Sequence, residues 1–224
     1  MRAAQYAKEL VRLFGRAIMQ PTRAARGPLA PGAIFNARVP WVSGTAFGRT
    51  PLTRTQIAMS VDQRVEPLDR NTEAAECADL MVTSEPWLTL RLSRETALAV
   101  LTDPLKEVHA IRDANGVAGF VVIDMRGLLR GYVQILCVRS DCRRRGIGSA
   151  LLRWAEERIW RESPNVFICV SSFNADARRL YERLGFELVG TLRELLVPGH
   201  DELLLRKTKG TWDAFRRAFE DRIV

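Results

Sequence analysis

One stretch limits the possible folds more than any other. An apolar run from Tyr132 to Val138 reads as a buried strand, and Ile147, Leu151, Leu152, Ala155 and Ile159 recur at helical spacing. Between them lies a loop holding Arg143, Arg144, Arg145, Gly146 and Gly148. The order is therefore strand, basic loop, helix. A residue without Cβ allows close backbone approach and unusual φ/ψ where the loop enters the helix. The first N–H groups of that helix lack intrahelical partners and sit at the positive end of its macrodipole, so they form an anion site. The arginines add charge-assisted donors, and the whole arrangement suits a pyrophosphate.

Two common phosphate loops are excluded. The chain has no Gly-x-x-x-x-Gly-Lys-Ser/Thr, and no third glycine follows Gly146 and Gly148, where Leu151 stands. What remains, Arg143-x-x-Gly146-x-Gly148 after Leu136-x-Val138, resembles the coenzyme A loop of the GNAT N-acetyltransferase superfamily. A second stretch, Asn174 to Phe186, resembles that family's later signature Asn-x-x-Ala-x-x-Leu-Tyr-x-x-x-Gly-Phe at every fixed position. The resemblance covers about residues 62 to 208.

The resemblance implies an α+β, three-layer GNAT fold: a mixed, mostly antiparallel twisted sheet of about six or seven strands flanked by helices. Its central strand splays from its neighbour near Leu136 to Val138, and free backbone N–H groups there bind coenzyme A, with Val138 the best position for that contact. Acetyl-CoA is the implied cosubstrate, held by Leu136, Val138, Arg143, Arg144, Arg145, Gly146, Ile147, Gly148, Ser149 and Asn174. Tyr181 matches the tyrosine that often serves as general acid to the coenzyme A sulfur. The early helical pair covers the acceptor site, which brings Glu85, Trp87, Arg91 and Gln134 into view. The chain departs from the pattern at the general base, because Tyr132, Val133, Gln134, Ile135 and Leu136 offer no carboxylate. Asp124, His109, Glu85 or water then remain as proton acceptors.

Each of these residues also has a plainer role. Asn174 could simply cap the following helix, and Tyr181 follows the helical spacing of Ala177, Leu180 and Leu184, as a core aromatic would. Trp87 could only pack. Cys77, Cys137, Cys142 and Cys169 show no C-x-x-C, so a zinc site or disulfide framework is poorly supported and a reducing, cytoplasmic setting is expected. No apolar run approaches the ~18 residues of a membrane span.

Net charge is +8, but nine basic residues against Glu9 alone lie in 1–60, leaving 25 of the 34 basic and 25 of the 26 acidic residues beyond. A neutral domain with one arginine cluster fits a discrete phosphate ligand rather than nucleic acid. Residues 1–60 read as a basic, poorly structured extension: an amphipathic helix from Ala3 to Met19, then a tract broken by prolines and glycines. Met59 is an alternative start.

Residues 61–208 form the expected catalytic domain. Val61 to Leu68 reads as a strand, Asn71 or Thr72 as the cap of a helix to Val82, and Ser93 as the cap of a helix from Arg94 to Leu101. Glu107 to Arg112 and Val117 to Met125 flank the hairpin turn Asn115-Gly116, and Tyr132 to Val138 continues antiparallel. Val166 to Val170 is a buried, central strand. A helix from Ala175 to Leu184 ends at Gly185, Phe186 to Val189 begins another strand, and Asp201 to Lys207 closes the sheet. In the tail, 209–224, Trp212, Phe215 and Phe219 share one helical face suited to packing, the default, or to a homodimer contact.

The leading expectation is N-acetyl transfer from acetyl-CoA to a primary amine of a small molecule or amino-acid derivative. Acetylation of a protein or peptide N-terminus predicts an open groove near Tyr132 and Gln134 instead. A coenzyme A-binding regulatory module without catalysis is the third reading.

Overall fold

A computed structural model describes residues 63–220. The helix expected from Ala3 to Met19 and the broken tract after it lie outside the described residues, as does the start of the first strand. The elements are β1 (Glu66–Pro67), α1 (Ala74–Val82), α2 (Arg94–Thr102), β2 (Glu107–Asp113), β3 (Gly116–Asp124) and β4 (Tyr132–Val138), followed by α3 (Ile147–Ile159) and β5 (Asn165–Ser171). The last are α4 (Ala175–Arg183), β6 (Glu187–Val197), β7 (His200–Thr208) and α5 (Trp212–Glu220). They form one seven-stranded sheet in the order β1-β2-β3-β4-β5-β7-β6. Every pairing is antiparallel except that of β4 with β5.

The sheet has an apolar cluster on each face. One joins α3 and α4 to Val121, Ile123, Val133, Ile168 and Val170; the other joins α1 and α2 to Phe120, Val122, Ile135 and Cys137. Buried on both faces, β3 reads as an unbroken apolar run rather than an alternation. Each of its large side chains contributes roughly 1.5–3 kcal/mol by burial. Gly119 sets how closely α3 can lie, since a Cβ there would stand 2.9 Å from the Cys137 carbonyl oxygen and 3.0 Å from Ile147 Cγ2.

What positions the site is how little β4 and β5 pair. Only Tyr132 with Phe167 and Val133 with Ile168 are in register. On its other edge β4 steps from Val133 opposite Ile123 to Ile135 opposite Val122, so Gln134 is an extra, bulged residue. A bulge bends its strand, and β4 leaves β5 at this point. At the strand's start Gly131, φ +92°, is pressed so closely that a Cβ would lie 2.5 Å from the Asn165 carbonyl oxygen.

Several expected boundaries shift. α1 is not capped by Asn71 or Thr72. The Asp69 carboxylate accepts from the Asn71 N–H at 3.0 Å and the Thr72 hydroxyl at 2.8 Å, and Glu73 accepts from the Asp69 N–H at 2.8 Å. An earlier carboxylate thus organises that turn. β1 is two residues long and includes Pro67, which has no ladder donor. β6 extends to Val197, past Gly190. In α5, Trp212 meets Phe215 edge-on at 5.9 Å; Trp212 is exposed and Phe215 half-buried, and the side chain of Phe219 lies outside what is described. Among the described residues no helix is long and apolar enough to cross a membrane.

Candidate active site

At the end of β4 the chain is braced before it turns. The Arg139 guanidinium lies 2.6 Å from Asp113 and 2.7 Å from Asp141, and donates to the Val117 carbonyl at 3.1 Å. The hydrogen bond to Asp141, opposed by burial and supported by Asp113, raises its pKa further. Cys142 is buried beside this pair, with Sγ 3.2 Å from Arg139 and 3.4 Å from Asp113. Arg144 at φ +60° and Gly146 at φ +84° then carry the loop into α3.

Gly146 is the N-cap of α3 and has no side chain to bond its first N–H groups. These donors face a cavity of about 1470 Å³ that runs between β4 and β5. Arg143 and Arg144 line it. Arg145 does not; its guanidinium reaches toward the Cys142 sulfur at 3.9 Å. Ile147 is a core residue on its side-chain face, so only its backbone is available to a ligand. Gly148 and Ser149 also line the cavity. A Cβ at Gly148 would meet only Leu180 Cδ2 at 3.5 Å and Val138 Cγ2 at 3.6 Å, so the protein's own packing does not require glycine. A ligand lying against the helix would, and an elongated pyrophosphate-bearing molecule fits this end on both charge and shape.

Leu136, Val138, Asn174 and Tyr181 wall the middle of the cavity. The Val138 carbonyl accepts from Arg143 Nε at 3.4 Å. Asn174 caps α4, its side-chain oxygen accepting from the Ala177 N–H at 3.2 Å. Tyr181 is buried against Phe186, with ring centres 6.1 Å apart, and its hydroxyl has no hydrogen-bond partner among the described residues. Burial, with the Cys169 thiol beside it, pushes the phenol pKa up, so the proton stays on oxygen.

The far end is formed by the α1–α2 connection and the starts of β4 and β7. Glu85 and Trp87 line it, with Glu85 accepting from the Thr89 hydroxyl at 3.1 Å; exposed Arg91 does not. The Gln134 side-chain oxygen accepts from buried Lys106, whose Nζ is 3.9 Å from Asp124. Burial works to raise the Asp124 pKa, but hydrogen bonds from Arg126 outweigh it and hold the carboxyl below its ordinary range. His109 lies outside the cavity, stacked on Trp154 at 4.0 Å, and burial followed by Arg158 pushes its pKa down to about 4. Of the three proton acceptors named from sequence, one is pinned, one is absent from the cavity, and only Glu85 is both present and unpinned by an arginine.

A carboxylate that sequence reasoning missed lies here instead. Glu202 on β7 is 4% exposed, lines the cavity, and accepts from the Ser171 hydroxyl at 2.5 Å. The sequence shows only an acidic residue opening Glu202-Leu203-Leu204-Leu205; that it reaches the cavity follows from the pairing of β7 with buried β5.

Residues 104–188 match the family described as acetyltransferase (GNAT) domain. This segment, from just before β2 to the start of β6, carries the likeness to that family. Over 84 residues it is 40% identical to the acetyltransferase Atu2258 of Agrobacterium fabrum, a match covering 37% of this chain and 59% of that relative. Over 79 residues it is 37% identical to an N-alpha-acetyltransferase of Sulfurisphaera tokodaii, covering 34% and 47%. The GNAT-domain match thus spans less than two thirds of either relative. Among solved structures, an aminoglycoside 6'-N-acetyltransferase complexed with coenzyme A superposes with a TM-score of 0.54 at 18% identity, over 65% of this chain and 96% of that one. That similarity shows the fold: the open seven-stranded mixed sheet is a GNAT sheet.

Proposed function

We propose that the protein is an N-acetyltransferase that moves the acetyl group of acetyl-CoA directly to a primary amine of a small molecule or amino-acid derivative. The observation that carries this reading is the departure of β4 from β5 after Val133, in the same cavity as the α3 N-terminus with Arg143 and Arg144. One end of the gap suits a pyrophosphate and its middle an extended pantetheine arm.

Acyl transfer from a thioester needs positioning, a stabilised oxyanion and two proton movements. In this scheme Arg143, Arg144 and the first N–H groups of α3 bind the pyrophosphate. The β4 edge that β5 leaves unpaired beyond Val133 supplies backbone donors along the arm and to the carbonyl oxygen. Tyr181, its proton retained by burial, stands ready to protonate the leaving thiolate. A relative named N-alpha-acetyltransferase supports a peptide N-terminus as second acceptor class. Gln134 lines the cavity with its side-chain oxygen accepting from Lys106.

Calorimetric titration with acetyl-CoA, followed by thiol release across amines and peptides, tests the proposal. Binding with release supports it. Binding without release from any acceptor would leave only the regulatory-module reading, and absence of binding would remove both.

A further inference from the structure

The cavity is lined by four carboxylates, Glu85, Asp124, Asp176 and Glu202. Asp124 is held by Arg126 and lies near Lys106. Asp176 is exposed and paired with Arg179. Glu85 is exposed and accepts from Thr89. Glu202 alone is buried, and among the described residues no lysine or arginine forms an ion pair with it. A buried carboxylate without a cation is unfavourable unless it takes up a proton or receives a cation from outside.

Its surroundings indicate which cation. The Ser171 hydroxyl holds one oxygen from directly across the β5–β7 ladder. On the same face Leu192 stands opposite on β6 and Leu204 two residues along β7, both lining the cavity together with Leu195 and Leu196. The Cys169 thiol on β5, two residues before Ser171 on the same strand face, is near enough to interact electrostatically with both Glu202 and Tyr181. A carboxylate and a protonated phenol therefore flank the same short segment of β5, where the strands diverge.

We propose that Glu202 is the general base of this site, oriented by Ser171, and that the acceptor it receives is an alkylammonium on an apolar stem. This rests on the acetyltransferase reading above. The acceptor enters as R–NH3+ and pairs with the carboxylate, which takes one proton. The freed lone pair forms the C–N bond to the thioester carbonyl carbon, and the C–S bond breaks. Tyr181 protonates the departing sulfur and is reprotonated by the second N–H proton, lost as the amide forms. Glu202 then returns its proton to water. Burial, partly offset by the Ser171 hydrogen bond, raises the Glu202 pKa above its ordinary value, the direction that strengthens it as a base. The other groups facing it are Cys169 on β5, Tyr132 on β4 and His200 on β7, while β6 presents Leu192.

The test compares wild type with Glu202→Gln and Ser171→Ala, using alkylamines and α-amino acids as acceptors and measuring acetyl-CoA affinity in parallel. Glu202→Gln should keep acetyl-CoA affinity and lose about 100-fold or more in kcat/KM near neutral pH. The lost rate should return as pH rises toward the amine's own pKa, because free amine needs no base; a merely structural role would not produce that rise. Ser171→Ala should lower kcat about tenfold. A Glu202→Gln rate equal to wild type would overturn the proposal, as would faster turnover of α-amino acids than of alkylamines. If Glu202→Gln loses acetyl-CoA binding through misfolding, Ser171→Ala decides, and an unchanged rate there overturns it. Wild type releasing no thiol with any amine would sink the transferase reading itself, a distinct result.

Discussion

The Arg139 guanidinium lies 2.6 Å from the Asp113 carboxylate, tying the end of β2 to the end of β4 just before the arginine-rich loop. Both side chains are 14% exposed. Removing one partner leaves the other largely desolvated, so Asp113→Asn should destabilise the domain by about 2 kcal/mol. Burial would raise the Asp113 pKa, but the Asn115 N–H and Arg139 hold it below its ordinary value of 3.8. A depressed folded pKa means the contribution is complete above 3.8 and is lost as pH falls below it. Urea titrations at pH 7 and pH 3 should therefore show the mutant and wild type converging in acid.

Gly148 gives a prediction in which stability and binding move apart. Gly148→Ala places its Cβ in ordinary contact with Leu180 and Val138. It also replaces a helical glycine, which favours the fold by up to about 1 kcal/mol. The methyl nonetheless occupies the wall against which a pyrophosphate would lie. Tm should hold or rise while acetyl-CoA affinity falls about tenfold or more, with a larger loss for Gly148→Val.

The three consecutive arginines should separate. Arg143→Ala or Arg144→Ala removes a charged donor that lines the cavity and should cost about 1.5–3 kcal/mol of acetyl-CoA binding. It should also flatten the salt dependence of that binding. Arg145→Ala should leave affinity and salt slope unchanged, since its guanidinium turns toward Cys142. Calorimetry at two ionic strengths checks all three.

Local sequence patterns carried much of this architecture. β4 from Tyr132 to Val138, the Ser93 cap and the Asn174 cap are each set within a few residues, and all three appear as expected. What stayed hidden depends on contacts between distant segments. Nothing local to Arg145 says that it faces Cys142 rather than the cavity. No pattern around Glu202 reveals that Ser171, 31 residues earlier, lies across the ladder. The family resemblance implies a carboxylate on β4, where Tyr132 to Leu136 have none, whereas the strand that places a carboxylate in the cavity is fixed only by the sheet order.

Tyr181→Phe removes one hydroxyl that has no hydrogen-bond partner among the described residues, so folding stability should be unchanged within about 0.5 kcal/mol. If the phenol supplies the thiolate's proton, kcat should fall about 100-fold while acetyl-CoA affinity stays the same. Single-turnover thiol release separates the two quantities, and matching losses in both would assign Tyr181 to packing alone.

His109 is the residue through which stability, not catalysis, should respond to mild acid. It packs on Trp154 with Nδ1 buried and without a hydrogen-bond partner among the described residues, and burial brings its pKa down from 6.5 to about 4. The folded state therefore resists protonation that the unfolded chain accepts. Stability attributable to this residue is complete above pH 6.5 and is lost as pH falls from there toward 4, by on the order of 2–3 kcal/mol. His109→Phe, which keeps an aromatic ring against Trp154 and cannot titrate, should flatten that part of the stability curve. Because His109 does not reach the cavity, the same variant should leave kcat and its pH profile unchanged. A profile that lost a limb near neutrality would return His109 to the list of proton acceptors.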